Sequence, residues 1–420
     1  MKEIRSIVRG SFWKQLGTLS GGNLLTLLIT IVSYPILSRL YTDVEFGTFA
    51  VFQSVLLILI PLSTFNYHEA MVLTKSADER SALIKLLMAI LGIVLVAVIF
   101  CISLNGFDFI GLTVNLVWLI PVSLILGSAL LSLTQLLLQK EDLKALSVIK
   151  TIDRVGFNGI AIILATIKTT FNGLIAGMLA GQFIAVAIAS VRSEISLQKR
   201  SKPQEIIATA KKYSDFVKFS LIGGFMERAG RHLPILIFTW LASDSLAGQY
   251  AMSYKILTIP EIIIGMSVGQ LFYVRAAKRF NNKQNLSSLL IKTWIFLLGV
   301  VAVPILIICF FSPQIFSTIL GSQWAQAGEI AVVLLPLVVM LFITAPTSYL
   351  VNVFNKQHLD LVLGTITLLT RATTLYVGLS YLAVEQAILL FSATEALILI
   401  GFNIYLYIIT RRWDALHAIS

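Results

Sequence analysis

The sequence predicts an all-α polytopic membrane protein with 12 transmembrane helices in two pseudo-symmetric six-helix lobes. Three observations predict it. Of 420 residues, 57% are AVILMFWYC and 13% are charged, and the mean hydropathy is +0.89; an ordinary soluble domain carries roughly 25% charged residues. Apolar runs of about 20 residues, the length a bilayer requires, recur along the whole chain. The basic residues then segregate to alternate connections, as orientation in a membrane demands. Together these exclude a soluble enzyme, a disulfide scaffold and a disordered chain. The runs are too long, and alternate too little, for a transmembrane β-barrel.

The first six spans are expected at 15–40, 46–73, 82–104, 112–138, 145–167 and 171–191. A basic start (Lys2, Arg5, Arg9, Lys14) precedes the first. It resembles a signal peptide, but the apolar run continues to Leu40 without a small-residue cleavage site, so it reads as a retained helix. The second six are expected at 216–241, 247–274, 289–311, 328–354, 359–382 and 386–409. With a cytoplasmic N-terminus, 25 of the 32 Lys and Arg fall on the cytoplasmic side, two (Arg39, Lys168) on the other, and five inside spans. This bias predicts a multi-pass membrane protein with both termini cytoplasmic. It also accounts for the +11 net charge without nucleic acid. Cys101 and Cys309 lie in apolar runs and read as small core residues. Trp240 and Trp324 are expected at the outer interface, and Trp13 and Trp413 at the inner one.

The longest connection, from Arg192 to Lys218, is charged. It divides the chain into an N-lobe (1–195), a cytoplasmic linker (196–215) and a C-lobe (216–420). The halves look related. Asp43-Val44-Glu45-Phe46-Gly47-Thr48-Phe49-Ala50 and Asp244-Ser245-Leu246-Ala247-Gly248-Gln249-Tyr250-Ala251 both read D-x-x-x-G-x-[FY]-A. Gly21-Gly22 answers to Gly223-Gly224, Pro35 and Pro61 to Pro234 and Pro260, and Arg154 to Arg371. Repeats with an even number of spans are parallel, and such transporters bind substrate between halves that rock alternately. A proline inside a span loosens the local hydrogen-bond ladder. Pro35, Pro61, Pro234 and Pro260 are therefore candidate gate or flex points, with a static kink as the equal alternative.

An ionisable side chain in hydrocarbon needs water or a partner. The deep cations are Arg154, Arg228, Arg231, Lys255 and Arg371; the acids with them are Asp153, Glu227, Glu261 and Glu395. Spans seven and eight form a hairpin turning near Asp244. At about 1.5 Å per residue, Arg228 and Glu261 are nearly level and are expected to pair, whereas Arg231 and Lys255 are level and repel unless an anion lies between them. Glu227 and Arg231 are spaced i,i+4 and partly neutralise each other. The expected cluster is a cationic cavity suited to phosphate, with internal salt bridging as the alternative. Arg228, Arg231 and Lys255 have uncharged first-half counterparts (Leu27, Thr30, Ser54), which favours function; Arg154 and Arg371 recur, which favours architecture. Arg39, at the outer end of span one, joins the candidate substrate-binding cations. Asp153, Glu227, Glu261 and Glu395 are candidates for coupling to H⁺ or Na⁺, or as charge partners. His68-Glu69 reads first as a hydrated helix end, with a gate contact as the alternative.

There is no G-x-x-x-x-G-K-[ST] and no H-E-x-x-H, and no cysteine–histidine metal cluster is expected. No catalytic residue, metal or cofactor is expected, and a membrane-embedded glycan enzyme has no catalytic constellation to work with.

The chain resembles the O-antigen and polysaccharide (Wzx-type) flippases of the multidrug/oligosaccharidyl-lipid/polysaccharide (MOP) exporter superfamily. The likeness rests on Ser38-Arg39-Leu40-Tyr41 followed by Phe46-Gly47-Thr48-Phe49, on Gly321-Ser322-Gln323-Trp324, on Asn355-Lys356-Gln357 and on the 6+6 layout. It covers nearly the whole chain. The resemblance implies two six-helix lobes and a flippase of the bacterial cytoplasmic (inner) membrane, not an enzyme. The implied cargo is an undecaprenyl-diphosphate-linked oligosaccharide, an O-antigen or other surface polysaccharide unit, moved from the cytoplasmic to the periplasmic leaflet by alternating access. It further implies polysaccharide polymerase and chain-length machinery as partners, and coupling to H⁺, Na⁺ or membrane potential. Outward movement of a diphosphate across an inside-negative membrane is downhill by ~2.3 kcal/mol per charge per 100 mV. A cation-coupled multidrug or metabolite antiporter of the same fold is the alternative.

Overall fold

The computed structural model describes residues 25–107, 110–167, 172–193 and 202–417. The basic N-terminus, Trp13, Gly21-Gly22 and Lys168 lie outside the described residues. All regular structure among the described residues is helical, and the chain divides into two compact units, Met1–Phe225 and Met226–Ser420.

In the first unit, α1 is Leu25–Leu40 and α2 is Asp43–Leu62. Between them, Tyr41 donates its hydroxyl to the Ala161 carbonyl at 2.6 Å. Thr42 then caps α2 in a reciprocal box with Glu45, at 2.8 and 3.2 Å, satisfying two otherwise orphaned donors. The expected span at 46–73 is shorter than predicted. Pro61 is buried in the last turn of α2, and Phe65 and Asn66 take positive φ. The chain continues as a 3₁₀ turn, Tyr67–Leu73. Within this turn His68 is buried and its Nδ1 meets Thr64 Oγ1 at 2.8 Å. It is a packed residue and not the hydrated helix end that was expected. Next come α3 (Ala77–Ser103), α4 (Leu119–Gln139), α5 (Leu143–Ile167) and α6 (Gly173–Ser193).

Helix α7 (Pro203–Lys212) lies within the long connection and packs on α3. Tyr67 donates to the Ala210 carbonyl at 3.0 Å, Lys212 pairs with Glu79, and Tyr213 donates to Glu79 Oε1 at 3.0 Å. Burial of Tyr67, Met71, Leu83, Leu87 and Tyr213 together gives this contact its apolar base.

Helices α5 and α6 meet through glycine. A Cβ on Gly181 would stand 2.5 Å from the Asp153 carbonyl oxygen and 2.7 Å from the Phe157 nitrogen, and one on Gly177 2.6 Å from the Phe157 carbonyl oxygen. Small residues let membrane helices approach this closely, and packing drives their association. Gly181→Ala is expected to destabilise the protein by about 1–3 kcal/mol, the usual range for overpacking. Gly159→Ala, with nothing within 4 Å, is expected to be neutral or to stabilise by about 0.5–1 kcal/mol. Thermal unfolding in detergent checks both; equal midpoints would refute the close approach.

A π turn at Phe216–Leu221 leads into α8 (Ile222–Leu241), whose first turn belongs to the first unit; the second unit begins at Met226 and continues with α9 (Asp244–Pro260). Ser243 caps α9, accepting from the Leu246 nitrogen at 3.1 Å. The repeated D-x-x-x-G-x-[FY]-A segment is thus a capped helix start whose glycine is buried in both halves. A second π turn, Glu261–Gly265, leads to α10 (Met266–Asn281). Then come α11 (Ser287–Leu320), α12 (Ala325–Val333) and α13 (Leu335–Thr347). The unit ends with α14 (His358–Tyr381) and α15 (Val384–His417). Asp414 caps α11, accepting from the Leu286 and Ser287 nitrogens at 2.7 and 2.9 Å.

Nine helices among the described residues are long and apolar enough to cross a membrane. The expected spans at 145–167 and 216–241 correspond to α5 and α8, which are long but carry several charges each; the described part of α1, from Leu25 onward, is apolar. Two packing expectations are corrected. Cys101 and Cys309 are exposed, because a membrane protein is apolar outside as well as inside. Trp324 is completely buried beneath the Gly321 turn, where Gln249 donates to the Gln323 carbonyl at 2.8 Å; it is no interfacial anchor. Trp240 is exposed and stacks on Tyr376, centroids 6.1 Å apart.

Candidate functional site

The second unit gathers most of the predicted site residues onto four helices. On α8, Glu227 and Arg231 form the expected i,i+4 ion pair, with both side chains more than half exposed. Arg231 is also within electrostatic reach of Glu261 and the Tyr254 hydroxyl. Glu261 was expected to pair with Arg228 instead. Uniform rise fails here, because α9 ends at Pro260 and Glu261 opens a π turn, which changes both level and phase. Arg228 is half-buried, and its Nη1 is buried with no hydrogen-bond partner among the described residues. Inside a membrane such a donor is costly unless a ligand or water meets it. Lys255 is half-buried on α9, immediately after Tyr254.

Behind this cationic face lies a closed pair. Arg371 on α14 donates through Nε and Nη2 to Glu395 Oε2 on α15, at 2.9 and 2.7 Å. Thr370 Oγ1 donates to Glu395 Oε1 at 3.2 Å. The Glu395 side chain is 1% exposed and that of Arg371 13%. The third guanidinium nitrogen, Nη1, stands 3.7 Å from where a Cβ of Gly230 would be, an ordinary packing distance that places the pair against α8. Tyr250 and Tyr254 stack at 5.9 Å within electrostatic reach of Arg371 and Glu395. Arg371 and Glu395 thus satisfy each other, while Arg228 offers a donor.

The first unit repeats the arginine without its acid. Arg154 lies 5.9 Å from the Phe157 ring centroid, and its Nε is buried with no hydrogen-bond partner among the described residues. The adjacent Asp153 lies within its electrostatic reach. Arg39 is exposed at the end of α1. Of the four prolines, Pro61 and Pro260 end their helices, whereas Pro234 is buried inside α8 and Pro35 lies in α1. Sequence reasoning passed over Tyr250 and Tyr254, whose i,i+4 spacing on a polar span was the available signal. No group of His, Cys, Asp and Glu among the described residues is arranged to hold a metal.

A family model described as "Polysaccharide biosynthesis protein" matches residues 36–329, well over half of the chain. Among solved structures, the lipid II flippase MurJ, in an inward closed conformation, is 14% identical, with 91% of this chain and 87% of that one covered and a TM-score of 0.69. An inward-facing multidrug resistance MATE family transporter of the MOP superfamily is 12% identical, with 94% and 96% covered and a TM-score of 0.65. A MOP superfamily transporter from Pyrococcus furiosus, described as having a binding pocket of reverse polarity that suggests a different function, is 12% identical, with 96% of each chain covered and a TM-score of 0.59. Among curated proteins, none matches by sequence. The fold is that of the MOP superfamily.

Proposed function

Since the chain belongs to the polysaccharide biosynthesis protein family and has the fold of MOP transporters, we propose that it is a flippase for a lipid-linked oligosaccharide. The cargo is an undecaprenyl-diphosphate-linked repeat unit of O-antigen or another surface polysaccharide. It is carried from the cytoplasmic to the periplasmic leaflet by alternating access, with both termini cytoplasmic. The observation that carries this reading is the cationic face of α8. Arg228 presents a buried, unpartnered donor there, with Arg231 one turn further on and Lys255 on the next helix. Guanidinium groups bind phosphate oxygens through paired charge-assisted hydrogen bonds. Glu227 and Glu261 temper the local charge and are the coupling candidates that lie beside it.

The test is deletion in the host, with surface polysaccharide and lipid-linked repeat units both measured. The expected result is loss of surface glycan and accumulation of lipid-linked units, both reversed by the wild-type gene. Unchanged glycan in a strain without a second flippase, accompanied by new drug sensitivity, would replace this reading with that of a multidrug antiporter.

A further inference from the structure

The second unit carries a groove that the proposed transport step does not use. Its volume is about 300 Å³, and it is lined by Trp294, Leu298, Met340, Ile400, Ile404 and Tyr407. Asn403 also lines it, but its amide nitrogen donates to Thr344 Oγ1 at 2.6 Å and to the Leu399 carbonyl at 2.8 Å. The walls are otherwise hydrocarbon and aromatic ring. Leu298 and Ile404 are about half exposed, so the groove opens on the surface of the chain.

Helix α15 supplies one wall. Ile400, Ile404, Tyr407 and Arg411 are spaced i, i+4, i+7 and i+11, which places them on one stripe. Ile400 to Arg411 spans about 16 Å at 1.5 Å per residue. That is close to one leaflet of a hydrocarbon core about 30 Å thick. The guanidinium carbon of Arg411 lies 5.9 Å from the Tyr407 ring centroid, and that ring lines the groove. Two further features mark this end as the membrane–water boundary. Trp413 stacks on Phe280 at 5.2 Å, in the manner of an interfacial aromatic belt. The neighbouring carboxylate, Asp414, is occupied in capping α11 and leaves Arg411 and Arg412 as the local charge.

We propose that this groove binds one acyl chain of an anionic phospholipid, with the phosphate on Arg411. The volume is at the small end of ligand pockets and suits one chain. An apolar groove whose α15 wall continues along the same stripe to a guanidinium complements a chain that ends on a phosphate. A headgroup with no cation of its own adds net attraction to Arg411 and Arg412.

The probe is fluorescence quenching by brominated lipids of the whole protein in vesicles, with Trp294→Phe subtracted so that the difference reports Trp294 alone. Brominated phosphatidylglycerol is expected to quench Trp294 at about fivefold lower mole fraction than brominated phosphatidylcholine, the effect of one cation near an anionic headgroup. Arg411→Gln is expected to abolish the preference without altering phosphatidylcholine quenching, and Arg411→Lys to keep most of it. Equal quenching by the two lipids, or a preference that survives Arg411→Gln, overturns the proposal. Displacement of the brominated lipid by undecaprenyl phosphate far below the concentration of unlabelled phosphatidylglycerol also overturns it, assigning the groove to an isoprenoid.

Discussion

Glu395→Ala is expected to cost about 3–5 kcal/mol of stability, the range for removing one partner of a buried ion pair. The Glu395 side chain is 1% exposed and accepts from Arg371 Nε, Arg371 Nη2 and Thr370 Oγ1. Its removal leaves the guanidinium charged, because arginine does not deprotonate in proteins, and leaves it in a place water reaches poorly. Arg371→Ala is expected to be milder, since a carboxylate can take up a proton. The pair itself is a poor source of net stability, because desolvation offsets much of the attraction. The double variant Arg371→Met with Glu395→Leu is therefore expected to recover most of the loss. Unfolding midpoints in detergent for the singles and the double form the necessary cycle. Singles as stable as wild type, or a double no better than Glu395→Ala alone, would reject the pair as the structural tie between α14 and α15.

The same pair marks where sequence reading stops. Arg371 and Glu395 are both visible as deep charges, and the recurrence of Arg154 and Arg371 suggested architecture. Their pairing depends on the register of two antiparallel helices. That register is fixed where a Cβ on Gly378 would stand 2.9 Å from the Cβ of Ala387, a contact no hydropathy pattern encodes. Span positions were legible because hydropathy reports the solvent directly. Span interiors were not: Pro61, Pro260 and the π turn at Glu261–Gly265 break the uniform rise on which the depth argument rested. Burial of the cysteines failed for another reason. In lipid an apolar side chain faces out at no cost, so hydrophobicity no longer tells inside from outside. The repeated D-x-x-x-G-x-[FY]-A segment did carry local geometry, because Thr42 and Ser243 cap the two helices just ahead of it.

Within the proposed function, Arg228→Ala is expected to lower lipid-linked oligosaccharide flipping about 10- to 100-fold, the equivalent of losing one charge-assisted hydrogen-bond contact worth about 1.5–3 kcal/mol. Arg228→Lys keeps the charge but loses the planar fork, so an intermediate rate is expected. Arg231 calls for a different argument, because its charge is already engaged by Glu227. Arg231→Gln exposes the Glu227 carboxylate beside the cationic face, where it repels an anionic cargo. If Arg231 acts chiefly by masking that carboxylate, adding Glu227→Gln restores flipping. If Arg231 holds the phosphate itself, the double variant stays as poor as the single. Surface polysaccharide in a deletion strain, normalised to the amount of each variant in the membrane, reads all four. Full rescue by Arg228→Ala at normal abundance would remove Arg228 from the site, and with it the observation on which an anionic cargo rests.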